Sequence, residues 1–164
     1  MLTHRRRSPR EDVSLLSAGG RPVLLATLDV PFAEDATAFA IDSAVENGQP
    51  LVVVNAAEVL PAPWALLGYG YIEREDLQAE LRKPAELAQS LAVRVERLRL
   101  CSPHPIDALL ELVAERNPAV LVFGPDRSRL KLRTYRRAAR KILERVTCLV
   151  WFAEIGRASC RERV

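Results

Sequence analysis

The residues of this chain that could do chemistry are an aspartate, a glycine and a dense group of arginines. Asp29 directly follows an apolar run, and Gly124 follows a second apolar run. Between Gly124 and Lys141 eight basic residues face one acidic residue, Asp126, so this segment carries +7 while the whole chain carries +3. An aspartate can bind the hydroxyl groups of a ribose or equally cap the loop that follows it, and arginine forks bind phosphate in two-pronged geometry. These residues therefore indicate a site for a small anion or a nucleotide.

The basic segment has a second interpretation, which is a flexible, solvated loop without a ligand. Its eight basic residues are Arg127, Arg129, Lys131, Arg133, Arg136, Arg137, Arg140 and Lys141. A phosphate, a nucleotide, a nucleic-acid backbone or an acidic protein could neutralise them. The segment has no interleaved aromatic residues of the kind that stack on bases, and this disfavours nucleic acid.

The elements that must position these residues alternate between two kinds of hydrophobic pattern. Short apolar runs predict strands at residues 23–28, 51–54, 119–123 and 148–152, and alternation of polar and apolar residues predicts another strand at 94–100. Apolar residues at helical spacing predict helices over about 33–47, 73–92, from 105 onward, and 135–145. Alternation of this kind predicts an α/β fold with a parallel sheet and helices on both faces.

The order of the strands follows from the third one, residues 94–100, which alternates polar and apolar side chains as an edge strand does. This favours the strand order 3-2-1-4-5. In that order the chain adds strands first on one side of strand one and then, from strand four, on the other side. The carboxyl ends of strands one and four, where this reversal occurs, carry Asp29 and Gly124. Ligands of open parallel sheets bind at such a reversal, so the fold nominates the same two residues.

Two further expectations concern single elements. In the second helix Leu77, Leu81, Leu87 and Leu91 are predicted to face inward, and Pro84 should kink or divide the helix. Cys101 and Cys148 fall in or beside strands and are predicted to be apolar filler.

Composition and the two ends of the chain indicate one domain over residues 21–153. The chain has 164 residues, of which 49% are hydrophobic and 27% charged, and no apolar run reaches the ~20 residues of a membrane span. The three cysteines have no CxxC spacing, so we expect reduced thiols, no metal site and a cytoplasmic location. Residues 1–20 read as a disordered basic arm, and residues 154–164, EIGRASCRERV, as a non-native tail similar to a translated adapter.

Residues 23–152 together resemble the universal stress protein family. Three segments carry the resemblance: residues 25–29 (LATLD) with the alanine-rich helix after them, residues 119–124 (AVLVFG), and residues 146–151 (VTCLVW). The resemblance implies a Rossmann-like fold of the adenine-nucleotide-hydrolase type. It also implies a homodimer that pairs through the last strand, here Cys148 to Phe152.

Nucleotide-binding members of that family carry Gly-x-x-Gly, nine residues, and then Gly-Ser or Gly-Thr. The glycines let the backbone approach phosphates, and N–H groups at the helix start hold the negative charge. In this chain Gly124 matches the first glycine, Arg127 stands at the second, and Arg137-Ala138 stands for the final pair. Two of the three glycines and the hydroxyl are therefore missing.

The adenosine side of the motif is better preserved in the resemblance. Asp29 corresponds to a residue that contacts the adenosine part, and Ala56 to an adenine-contacting position, although Val30-Pro31 departs from the usual Gly-Ser. We therefore expect a regulatory, non-catalytic stress-response protein in which ATP or AMP binds weakly or not at all. The alternatives are an ATP-binding, slowly hydrolysing protein that uses arginines in place of glycines, and an anion or nucleic-acid module built on residues 127–141.

Overall fold

The computed structural model describes residues 20–60 and 74–153, and these form a five-stranded sheet with helices on both of its faces. The strands are β1 (Val23–Thr27), β2 (Leu51–Glu58), β3 (Val95–Ser102), β4 (Val120–Phe123) and β5 (Leu149–Phe152). The helices are α1 (Glu34–Asn47), α2 (Glu75–Ser90), α3 (Pro105–Arg116) and α4 (Leu132–Arg145). The predicted arm up to residue 19 and the predicted tail, residues 154–164, lie outside the described residues.

All neighbouring strands pair in parallel, in the order β3-β2-β1-β4-β5. This confirms the predicted sheet. Every residue of the central strand β1 is buried, as expected for a continuous apolar run that has a helix layer on each side. Since β1 and β4 are neighbours, their carboxyl ends meet at one edge of the sheet.

The two helix layers pack on the sheet with different side chains. On the α1 and α2 face, small residues such as Ala36 and Ala40 are fully buried and allow a close approach to the sheet. On the α3 and α4 face the buried side chains include Leu109, Tyr135 and Ile142. The sheet therefore separates two hydrophobic cores.

The outer strand β3 has one solvent-exposed face, as its alternating pattern predicts. Arg97 and Arg99 are exposed, whereas Leu98 and Leu100 pack against the core. The neighbouring strand β2 continues to Glu58, four residues beyond its apolar run, because residues 55–58 continue the ladder with β3. The ladder, rather than hydrophobicity, determines where β2 ends.

Helix α2 corrects the prediction for its inward face and excludes that Pro84 divides it. Leu77 and Leu81 are buried, but Leu87 and Leu91 are 51% and 53% exposed. The inward face instead continues through Ala85 and Ala88, which preserve the helical period that the leucines at 87 and 91 do not. Pro84 does not divide the helix, which runs unbroken through it.

Helix α4 begins at Leu132, three residues before the predicted start. Lys131 precedes it without a side-chain capping bond, so the sequence holds none of the usual start signals. Of the basic residues that precede the predicted start, Arg133 is therefore helical, whereas Arg127, Arg129 and Lys131 lie before the helix. Arg136 and Arg137 lie in the second turn of α4, not at its start.

The two described cysteines differ from each other. Cys148 packs against the core, and burial raises the pKa of its thiol. Cys101 is exposed because it lies on the wet face of β3, so the prediction that it is core filler was wrong.

Candidate functional site

A cleft of about 440 Å³ lies beyond the carboxyl ends of β1 and β2, between the start of α3 and one side of α4. Four of the six predicted site residues line it: Asp29, Ala56, Arg137 and Ala138. The remaining lining residues are Leu28, Glu58, Pro103, His104, Pro105, Ile106, Asp107, Leu130, Thr134 and Lys141. The cleft therefore has an apolar floor and a charged rim.

Asp29 is held at the edge of this cleft in an unusual backbone conformation, with φ at 53°. Its N–H donates to Asn55 Oδ1 at 2.8 Å, and Asn55 Nδ2 donates to Asp29 Oδ1 at 3.3 Å. The left-handed region is tolerated by aspartate better than by most residues, and the reciprocal pair fixes it there. Asn55 thus determines where the Asp29 carboxylate lies.

Sequence reasoning missed Asn55, although a signal was present. Asn55 interrupts the apolar run of β2 and is one of only two buried polar residues in the described parts of the chain. A buried side-chain amide needs partners, and at the carboxyl end of β2 those partners come from the adjacent end of β1.

Gly124 lies outside the lining of the cleft, because packing and the sheet already engage it. A Cβ at this position would overlap Ala36 Cβ of α1. Its N–H donates to the carbonyl of Ala26 at 3.0 Å, and its own carbonyl accepts from the N–H of Ala33 at 2.9 Å. The close contact between α1 and the sheet therefore accounts for this glycine.

The loop that follows Gly124 is folded onto itself. Asp126 N–H donates to the Pro31 carbonyl at 2.8 Å, Ser128 N–H donates to Asp126 Oδ1 at 2.9 Å, and Arg129 N–H donates to the Asp126 carbonyl at 3.1 Å. These amides of the loop point at protein acceptors. A phosphate cradle would require them to point at the ligand instead.

Arg127, at the position of the second glycine, also turns away from the cleft. Its guanidinium carbon lies 3.6 Å from the centre of the Tyr135 ring, in a cation–π stack. The Tyr135 hydroxyl in turn donates to the Ala153 carbonyl at 3.1 Å. Arg127 therefore covers the Tyr135 ring in the first turn of α4, apart from the four predicted site residues that line the cleft.

Charge in the cleft is mixed. Asp29, Glu58 and Asp107 contribute carboxylates, and Arg137 and Lys141 contribute cations. Lys141 Nζ contacts both carboxylate oxygens of Asp107, at 3.2 and 3.4 Å. Of the two cations, Lys141 is therefore already paired on the surface of the cleft.

A larger cleft, about 840 Å³, lies between α1 and α2 and includes Phe32, Thr37, Lys83 and Leu87. None of the six predicted site residues lines it. The smaller cleft is the better candidate because four of the six predicted site residues line it, at the carboxyl ends of parallel strands where ligands of this architecture bind.

Comparisons with known proteins agree with this geometry. The profile of the universal stress protein family matches residues 20–153. A universal stress protein from Archaeoglobus fulgidus superposes with a TM-score of 0.56 at 16% identity, covering 87% of this chain and 99% of its own.

Two ligand complexes of universal stress proteins superpose similarly, each with a TM-score of 0.54 and covering 82% of this chain. The A. fulgidus protein in complex with dAMP is 17% identical to this chain, and the superposition covers 98% of its length. A universal stress protein in complex with cAMP is 18% identical to this chain, and the superposition covers 97% of its length.

The search of curated proteins found no match. Within the described ranges no helix has both the length and the apolar character needed to cross a membrane. The sheet order and the match over residues 20–153 lead to one conclusion: this chain belongs to the universal stress protein family.

Proposed function

We propose that this chain is a regulatory, non-catalytic universal stress protein in which nucleoside triphosphates bind weakly or not at all. The observation that carries the proposal is the arrangement of residues 124–138, which correspond to the family's glycine-rich phosphate motif. Arg137 and Ala138 line the cleft and correspond to the Gly-Ser or Gly-Thr pair that ends the family's motif. The backbone amides of the loop before them donate to protein acceptors.

Side-chain volume supports the proposal. A glycine lets the backbone touch a phosphate, whereas Arg137 introduces a long side chain at that point of the wall. Ala138 is buried, with 1% exposure, and has no hydroxyl to contribute. Main-chain contacts to a chain of three phosphates therefore lose both access and a donor.

Charge supports it as well. The cleft holds three carboxylates against two cations, and Asp107 already neutralises Lys141. A strongly negative triphosphate would lie near Asp29 and Glu58 without a matching number of cations, and like charges at short range weaken binding.

A second candidate is binding of a nucleotide with a single phosphate, and the position of Arg137 favours it. Arg137 shares the cleft with Asp29 and Ala56, so one side chain could contact phosphate while the other two meet ribose and base. The dAMP and cAMP complexes of similarly folded universal stress proteins carry one phosphate each.

Calorimetry with ATP and with AMP separates these functions. For ATP we expect no saturable binding up to millimolar concentrations, and no phosphate release above the background rate. Saturable ATP binding in the micromolar range, or turnover of ATP, would overturn the proposal. AMP binding that Arg137→Ala abolishes and Arg136→Ala preserves would establish the second candidate.

A variant that restores the family motif provides the positive arm. Arg127→Gly, Arg137→Gly and Ala138→Ser together return the glycines and the hydroxyl, and we expect this variant to gain ATP affinity by ten-fold or more. The matched control combines Arg129→Gly with Arg136→Gly. It removes the same charge and adds one glycine to the same helix, and we expect no gain from it.

A further inference from the structure

One face of α4 carries a row of arginines that the cleft does not use. Arg133, Arg136 and Arg140 lie at positions i, i+3 and i+7, so they share one side of the helix. The opposite side is buried through Tyr135, Ala138 and Ile142. We call these three exposed residues the arginine ridge.

The ridge arginines make no ion pair among the described residues. The ion pairs of α4 lie on its flank, where Lys141 and Arg145 each contact Asp107 at 3.2 Å. The three ridge side chains are therefore available to an external anion.

The charge at the start of α4 is the reverse of that in α1, α2 and α3. Each of those helices has a carboxylate in its first turn, which the positive end of the helix dipole stabilises. The first turn of α4 has no acidic residue and contains Arg133. Repulsion at this end of the helix would be relieved by an anion on the ridge.

The opposite layer of the molecule is acidic. Helix α1 carries Glu34, Asp35, Asp42 and Glu46, all exposed, and no basic residue. Because the sheet separates α1 from α4, an acidic helix and a basic helix lie on opposite faces of it. A polyanion is attracted to one side and repelled by the other, and this orients its approach.

We propose that the arginine ridge binds the phosphate backbone of double-stranded nucleic acid without reading its sequence. Backbone binding needs only regularly spaced cations, so the lack of aromatic residues that disfavours single strands does not weigh against a duplex. A second copy of this chain fits less well, since contact of its acidic α1 with the ridge would be head-to-tail and would build a ring or a filament, not a two-fold dimer.

Fluorescence anisotropy with a labelled 20-base-pair DNA duplex at low salt tests this proposal. Three phosphate contacts predict a slope of log K against log salt of about −2.7, or roughly 40-fold weaker binding between about 50 and 200 mM salt. Arg133→Gln, Arg136→Gln and Arg140→Gln combined should abolish binding, and each single change should reduce the slope by about 0.9. An RNA duplex should show the same dependence, because it presents the same phosphates.

The matched control combines Arg82→Gln, Lys83→Gln and Arg97→Gln, which removes the same charge from exposed positions off α4. It should retain at least half of the wild-type affinity. Three outcomes would overturn the proposal: no duplex binding at low salt, an equal loss in the control variant, or tighter binding to single-stranded DNA or to anionic vesicles than to the duplex. The ridge variants leave Arg137 in place, so ATP and AMP titrations on the same samples report separately on the proposed function.

Discussion

At the scale of single residues, Gly124 and Asn55 show that the edge of the sheet is determined by packing and by buried polarity. Gly124 lets α1 lie against the end of β4, and Asn55 binds the backbone N–H of Asp29 from the neighbouring strand. Neither requirement depends on a ligand. Both residues nevertheless shape the cleft, because they determine where the strand ends are located.

Gly124→Ala should destabilise the fold by about 1–3 kcal/mol, since the added methyl group overlaps Ala36 and the core cannot easily expand. Urea denaturation measures the change. Ala36→Gly alone should cost about 1 kcal/mol through helix propensity.

The double variant provides the decisive comparison. If the overlap is the cause, Gly124→Ala combined with Ala36→Gly should be more stable than the sum of the two single losses predicts. Strictly additive losses would mean that the two positions do not press on each other.

At the scale of elements, an ion pair joins α3 to the edge strand β3. Arg116 contacts Glu96 through both nitrogens of its fork, at 2.8 and 2.9 Å, with 16% and 26% of the two side chains exposed. Bidentate geometry and partial burial make such a pair stronger than an ordinary surface pair. It holds the outer strand β3, which within the described ranges pairs with β2 alone.

Glu96→Ala should therefore destabilise the protein by about 1–3 kcal/mol, because it leaves the largely buried Arg116 guanidinium without this carboxylate partner. A double-mutant cycle with Arg116→Ala should give a coupling of roughly 1 kcal/mol. The Lys141–Asp107 pair, at 43% and 36% exposure, serves as the control, and Lys141→Ala should change stability by no more than about 0.5 kcal/mol. Equal effects at the two pairs would refute this ranking.

The elements also show what the sequence could and could not predict. Four apolar runs and the alternating pattern of β3 were sufficient for the sheet order. The inward face of α2 was misread because Leu87 and Leu91 are large and apolar while the buried Ala85 and Ala88 are small. The start of α4 was missed because Lys131 gives no capping signal, and Asn55 was missed because its partner Asp29 is distant in sequence.

Of the candidate site, Asp29, Ala56, Arg137 and Ala138 could be predicted to lie together, since strand ends and a helix beside a chain reversal converge in this fold. Gly124 and Arg127 could not be predicted to lie apart from them. Their positions depend on the Ala36 contact and on the Tyr135 ring, and neither contact leaves a pattern in the sequence.

At the scale of the whole molecule, β5 is the outer strand opposite β3, and one side of its backbone has no neighbouring strand among the residues that the structure describes. Its first residue, Leu149, is 68% exposed, while Trp151 stacks on Phe39 with ring centres 4.9 Å apart. An open edge with an exposed apolar residue favours pairing with another strand. We propose that two copies of the chain pair here, as the resemblance implied.

Light scattering at micromolar concentration should then give the mass of a dimer. Leu149→Lys should weaken dimerisation by roughly ten-fold or more, which corresponds to about 1.4 kcal/mol. Leu87→Lys, at an exposed leucine of α2, should leave the dimer intact. A monomeric wild-type protein, or equal effects of the two substitutions, would exclude this interface.

The contact between Gly124 and Ala36 has a consequence for recognising nucleotide binders among divergent relatives. A glycine after the fourth strand is demanded by architecture, so its presence says little about whether a given protein holds ATP. Arg137 is exposed and has no comparable packing role, so the residue at position 137 is the more informative diagnostic. A motif search should therefore give position 137 more weight than the glycine that follows the fourth strand.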